Sequence, residues 1–412
     1  MVRPPTPLGV DRPLLRRAGA VLTALSAIAA TVVAGPARAI APGGPCALPR
    51  TQAHHSEGLD SWNPAYPRPD GRLDALMVFL AFPDSRPVTT PGQLVADHFP
   101  ATSRFFERAS YGRFSVRPHP LNRWFRMPRP STAYHIQRDW DGELRSAYLR
   151  DAIAAVRGRV DFSDYGLVYL VADPDAPGVD SDATKVVNLD RPLRVDGTEL
   201  RRVVTVFEHH PPDRNVLAHE TGHVLDLPDL YHRPTEGKGD WDTHVGDWDL
   251  MGSQFGLAAD PFAWHKWKLG WISRRQVACV TGRGESEHGI EPLEAPMRPG
   301  SDERTRLVVV RTGLTSALAM EARTASGNDT TTCAEGVLVY RVRSDTPSGA
   351  GPIQVLNGHP GSRACPGQAV YPPLADAPLG VGESLSSGMD GVRVTVTGHT
   401  PGGAWTVRVS RD

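Results

Sequence analysis

The sequence predicts an α/β layer over residues 71–278 and, after it, a β-rich, sandwich-like module over residues 279–412. Three observations carry this reading. Apolar runs of strand length at 73–82, 167–172 and 201–207 alternate with segments of helical periodicity, the order that builds a sheet covered by helices. From Cys279 onward the pattern changes to short strands separated by turn residues, at 306–311, 318–322, 336–342, 392–396 and 404–409, as in stacked antiparallel sheets. A chain of 412 residues with a 40% hydrophobic share is also long enough for two ordinary domains.

The first 39 residues read as an export signal: a basic stretch ending in Arg16-Arg17, an apolar run over 18–33, then Ala37-Arg38-Ala39 as a small-x-small cleavage site. The mature chain is expected to start near Ile40, outside the cell. An uncleaved anchor is the alternative, but the run is short for a spanning helix, so no lasting membrane association is expected. The five arginines and one aspartate of the signal mask an acidic mature chain, whose formal charge falls from −1 to −5 without them. No basic patch with interleaved aromatics stands out, which disfavours nucleic acid and anionic membrane surfaces as partners.

Residues 40–70 are rich in Pro, Gly and polar groups and predict an extended lead-in with no core of its own. Strand 73–82 is apolar throughout, as a strand buried on both faces must be. A helix over 95–108 follows, and the turn Ser110-Tyr111-Gly112-Arg113 leads into a short strand at 114–117. Helical spacing recurs over 142–157, with Leu144, Tyr148, Leu149, Ala152, Ile153 and Val156 on one face.

Four cysteines remain, Cys46, Cys279, Cys333 and Cys365, and an even number in an exported chain predicts two disulfides. The preferred pairing is Cys333 with Cys365, and Cys46 with Cys279. The alternative for Cys46, in its Gly-Gly-Pro-Cys loop, is a thiolate that caps a metal in a latent form.

The segment that carries chemistry is His219-Glu220-Thr221-Gly222-His223. Histidines four apart fall on one helix face and present two imidazoles to one Zn2+ ion. Glu220, beside the metal, can take a proton from zinc-bound water and pass it to a leaving amine. Val216, Leu217, Val224 and Leu225 supply the apolar positions of the helix, Pro211-Pro212-Asp213 its start, and Leu227-Pro228 its stop. Asp229, beyond the stop, is the leading third ligand, at the spacing used in extended zinc-peptidase motifs. Asp226, His232 and Glu236 compete for that role. A hydrogen-bonded His/Glu cluster without metal is the bland reading, and burying those groups unpaired would be costly.

The string from His219 to His232 (HETGHVLDLPDLYH), with Gly246 to Ser253 (GDWDLMGS), resembles the immune inhibitor A type of secreted bacterial peptidase, within the metzincin group. Looser matches at 73–84, 110–115, 160–165, 261–271 and 335–340 extend the resemblance over most of residues 70–345. It implies a metzincin-like fold, His219, His223 and Asp229 as zinc ligands, Glu220 as general base, and Met251 as the methionine of the turn beneath the metal. One departure stands out. Asp226 occupies the place where the family has a glycine, at which the chain turns sharply. Asp is among the residues that tolerate a left-handed backbone. Where some metzincins carry a tyrosine two residues after the methionine, this chain has Ser253, which leaves Tyr231, His232 and His244 as candidates to polarise a carbonyl.

Other tempting features take plainer readings. Trp264, Trp267 and Trp271, between Asp260-Pro261 and Gly270, predict a core-packing helix. Two acidic sets, Asp173, Asp175, Asp180, Asp182 and Asp240, Asp242, Asp247, Asp249, are of the type that binds Ca2+, but neither fits a calcium-loop template, so solvated loops are the leading reading. His209-His210 belongs to a loop. The expected function is zinc-dependent endopeptidase action on protein or peptide substrates. Its rivals are a metal-stabilised binding or adhesion protein of the same fold, and a zinc hydrolase of non-peptide amides or esters.

Overall fold

The apolar run after Gly71 lies inside a mixed five-stranded sheet of the α/β layer. The computed structural model describes residues 43–234, 240–297 and 303–412, so the expected signal, its cleavage site and Glu236 lie outside the described residues. In chain order the first elements are β1 (Gly71–Ala81), α1 (Pro91–His98), α2 (Ala101–Ala109), β2 (Phe114–Arg126), α3 (Gly142–Val156), β3 (Leu167–Ala172), β4 (Lys185–Val195), β5 (Thr198–Val206), α4 (Val216–Val224) and α5 (Ala263–Lys268). The sheet order is β2-β1-β3-β5-β4, with β2, β1, β3 and β5 parallel and β4 antiparallel at the edge.

Alternation along β1 divides the interior. Ala75, Met77 and Phe79 join Leu94, Phe105, Phe106, Leu217 and Val224 of α1, α2 and α4 in one core. Leu76, Val78 and Leu80 face Tyr148, Leu149, Ile153 and Val156 of α3 in another, as the two-residue period of a strand requires.

Two elements differ from expectation for local reasons. The helix expected over 95–108 is two helices, because Pro100 has no N–H to donate and forces Phe99 into an extended conformation (φ −121°, ψ 139°). The first begins earlier, at a capping box in which Gln93 N–H donates to Thr90 Oγ1 and Thr90 N–H donates to Gln93 Oε1. The strand expected to end at 117 continues to Arg126, through Pro118 and Pro120. It is an edge strand, where proline is tolerated.

The β-rich region contributes β6 (Val277–Val280), β7 (Gly284–Ile290), β8 (Leu307–Arg311), β9 (Ser316–Arg323), β10 (Gly336–Arg343), β11 (Ile353–Val355), β12 (Ser384–Ser387), β13 (Val392–His399) and β14 (Trp405–Arg411). They form two sheets, β11-β10-β9-β8-β6 and β12-β13-β14-β7. The sheets share a core of Val308, Val310, Leu318, Met320, Val337, Val339, Val394, Val396, Val407 and Val409. The opposite face of the first sheet, Leu307, Val309, Ala319, Leu338, Tyr340 and Val342, belongs to the same core as Met251, Phe262 and Trp264. That sheet is therefore buried on both faces, as its unbroken apolar runs require.

The lead-in has no core of its own and is built into the main one, with Cys46, Ala47 and Leu48 buried. Both expected disulfides are present: Cys46–Cys279 ties this segment to β6 with Cα atoms 5.7 Å apart, and Cys333–Cys365 joins two loops at 5.9 Å. Cys46 is thus a structural half-cystine, not a thiolate that caps a metal. Among the described residues no helix is long and apolar enough to cross a membrane.

Candidate metal centre

Helix α4 carries the first half of the centre. It starts at Val216, after Asn215 in a left-handed conformation (φ 59°), rather than at Pro211-Pro212-Asp213. Asn enters that region at little cost. All nine residues of the helix are buried. Its end is a Schellman closure: Leu227 N–H donates to Gly222 O at 3.1 Å and Asp226 N–H to His223 O at 3.2 Å. Asp226 takes the left-handed position of that motif at φ 66°, the place where glycine is usual.

Beyond the closure the chain brings Asp229 back to the helix. Asp229 Oδ1 lies 2.9 Å from His223 Nε2 and 3.4 Å from His219 Nε2. Among the described residues these three form the one group of His, Cys, Asp or Glu side chains gathered closely enough to hold a metal, with ligand atoms within 4.8 Å of one another.

The donor set fits a cation. His219 Nδ1 is 2.9 Å from Leu250 O and His223 Nδ1 is 2.8 Å from Leu227 O. A carbonyl only accepts, so each Nδ1 carries a proton and each Nε2 is the atom turned to the centre, able to present a lone pair to a cation once it carries no proton of its own. Asp229 Oδ1 is buried with no hydrogen-bond donor of regular geometry. Three electron-pair donors thus face one another, an arrangement that calls for positive charge between them.

The electrostatics show the same demand for positive charge, which a proton on His223 also meets. Burial works against charged His223, but Asp229 and Glu220 outweigh it and raise the ring to about 9. Burial pushes Asp229 up, yet His223 and His219 hold it well below the ordinary carboxylate range.

Glu220 is buried beside this set and accepts a hydrogen bond from Val186 N–H at 2.6 Å. Burial raises its pKa, with His219 and His223 opposing. Met251 lies beneath the helix: a Cβ on Gly222 would sit 2.5 Å from Met251 Sδ. The methionine turn is held by Asp249, which accepts from Met251 N–H and Phe262 N–H, both at 2.7 Å.

Of the competing third ligands, Asp226 turns away, and its carboxylate meets Arg50 Nη1 at 2.7 Å and His55 Nδ1 at 2.9 Å. His232 pairs with the ring of His244, centroids 5.2 Å apart. Of the carbonyl-polarising candidates, Tyr231 lines the cleft over the centre, while His232 and His244 do not. Tyr231 stacks beside His219 at 6.5 Å. Burial, Asp229 and Glu220 all raise its phenol pKa, which keeps it a hydrogen-bond donor.

Trp264 and Trp267 lie on α5, and all six residues of that helix are buried; it starts at Ala263 and is followed by Gly270 at φ 75°. His210, in a loop, pairs with Asp97 of α1. The acidic residues do not gather around a common point. Asp173 accepts from Ser85 Oγ and Asp175 N–H, Asp247 from Leu257 N–H and Val370 N–H, and Asp249 holds the methionine turn. Buried Asp173, Asp247 and Asp249 are therefore not solvated loop residues.

Sequence reasoning missed the groups that support the centre. His265, on α5, places Nδ1 2.9 Å from Asp249 Oδ2 and Nε2 2.8 Å from Glu57 Oε1. Burial disfavours its charge, but Glu57 and Asp249 raise it to about 9. Lys268 Nζ donates to Asp226 O at 2.7 Å. Ser348 Oγ contacts both the amide and the carboxylate of Asp229. No spacing in the sequence marks any of these. No protein-family model and no curated protein matches the chain.

Proposed function

We propose that this protein is a secreted zinc-dependent endopeptidase with a metzincin-like catalytic layer of the immune inhibitor A type. The observation that carries the reading is the convergence of His219 Nε2, His223 Nε2 and Asp229 Oδ1, with the protons of both rings held on the far side. These three residues would hold the zinc, and Met251 would floor the site. A zinc ion so held polarises a carbonyl and acidifies water.

The chain's own residues supply the rest. Glu220, with its raised pKa, takes a proton from the attacking water and delivers it to the leaving amine. Tyr231 is the donor best placed to stabilise charge on the carbonyl oxygen. Strand β4 pairs on one side only, with β5. Its Val186 N–H faces Glu220, so that edge borders the cleft and suits an extended peptide added as a further strand. The two disulfides support an extracellular setting.

Asp226 in place of glycine is the feature that would favour a metal-stabilised binding protein. The left-handed turn forms with Asp, and Arg50 and His55 hold the side chain, which favours a competent centre.

The test is zinc content and cleavage of a denatured protein by the mature chain and by Glu220→Ala. The variant should keep its zinc and lose activity by about 10²–10⁴-fold. Zinc bound by both with cleavage by neither overturns the peptidase reading. Cleavage of simple esters with intact peptide bonds would transfer it to the non-peptide hydrolase.

A further inference from the structure

We infer that Ser348, on the loop between β10 and β11, is a positioning residue for the third metal ligand, so that the β-rich region completes a centre otherwise carried by the α/β layer. The inference rests on the zinc reading above.

Asp229 lies past the end of α4, where no helix fixes its side-chain torsions. Ser348 supplies that constraint with one hydroxyl. Its Oγ accepts from Asp229 N–H at 2.8 Å and donates to Asp229 Oδ2 at 3.1 Å. Bridging the amide and carboxylate of one residue fixes both torsions between them. Gly349 N–H donates to Asp229 O at 2.9 Å and holds the backbone on the same loop.

The consequence is a division of labour between the two oxygens. Oδ2 is engaged by the serine, and Oδ1 is left bare toward both Nε2 atoms. A free carboxylate could rotate and present either oxygen, or both; this one presents a single oxygen in one direction.

The serine can do this because its loop is anchored. Ser344 O accepts from Thr51 Oγ1 and from Ser56 Oγ, both at 2.6 Å, and Ser348 N–H donates to His54 O at 3.2 Å. The lead-in thus braces the loop that braces the ligand. A hydroxyl that merely satisfied its own loop would have no reason to meet both ends of Asp229.

The experiment measures zinc affinity by competition with a chromophoric chelator, and the visible absorption of the cobalt(II) form, for wild type, Ser348→Ala and Ser348→Thr. Loss of an outer-sphere partner predicts zinc binding weaker by about 10–100-fold in the alanine variant, with the threonine variant within about threefold of wild type. The cobalt bands should shift in the alanine variant and return in the threonine variant. Zinc affinity within about twofold of wild type and an unchanged cobalt spectrum in Ser348→Ala overturn the positioning role alone. A metal-free melting temperature lowered by more than about 10 °C in that variant also overturns it, since the serine would then be a general structural support. Failure of the wild type itself to bind zinc overturns the zinc reading, and this inference with it.

Discussion

The charged network behind the candidate metal centre and the one between sheet and loop are built from the same chemistry but end on different things. In the first, Glu57, His265 and Asp249 run in line to Met251 N–H, while Arg50, His55 and Lys268 converge on Asp226. In the second, Arg323 pairs with Glu321 at 2.8 Å, Glu294 at 3.1 Å and Asp329, and donates to the carbonyls of Trp248, Ala258 and Asp260. One network ends on the turns that carry Asp226 and Met251. The other ties β9 to the segment before α5. Buried ion pairs are weak evidence for stability in themselves; what distinguishes these two is which backbone groups they fix.

The difference can be broken from either side. The largest effect is expected from Arg323→Met, which strands three buried carboxylates and should cost about 3–5 kcal/mol in urea or thermal unfolding. Zinc affinity of the folded variant should stay at the wild-type value. A parallel loss of zinc would merge the two networks into one.

Next comes pH. His265 is raised to about 9 in the folded chain, above its ordinary 6.5, by Glu57 and Asp249 acting against burial. A raised pKa contributes stability that is fully present below pH 6.5 and lost as pH rises through about 9. Its share of the fall in urea melts across that window should be on the order of 3 kcal/mol, beside that of His223, whose ring is raised to a similar value, and His265→Gln should remove that share of the slope. An equal slope in the variant would remove His265 as its source.

The smallest effect is expected from Asp226→Gly, where two terms oppose. Glycine relieves a left-handed residue, a gain of about 1 kcal/mol. It also leaves Arg50 and His55 without their carboxylate, a loss of about 3 kcal/mol, while Lys268 keeps the backbone carbonyl of residue 226. Net destabilisation of about 2 kcal/mol is the expected outcome, read from denaturant midpoints. A more stable glycine variant would mean that the clamp contributes nothing.

What was legible in the sequence follows the same divide. His219, Glu220 and His223 could be read because helical spacing alone brings them together, and β1, β3, β9 and β10 because their runs are apolar on both faces. Asp229 was reachable only through motif spacing. Its partner Ser348 lies 119 residues away, a distance over which no local pattern acts. β4 went unread because an edge strand bordering a cleft is half polar. The break at Pro100 is marked in the residues by the missing amide, although apolar periodicity runs on through it. Glu57 and Asp249 look in sequence like solvated acids, and only the fold shows them buried against His265.

The order in which the chain is made gives the anchored loop a further meaning. Arg50, His55 and Glu57 emerge early, the helix of His219 midway, and Ser348 only with the final strands. A chain still in synthesis or in transit through a membrane can have the motif without the brace. On the proposed peptidase reading, hydrolytic power would arrive last, after the loop of Ser348 has closed on Asp229, and the cell that makes the protein would be spared it until then.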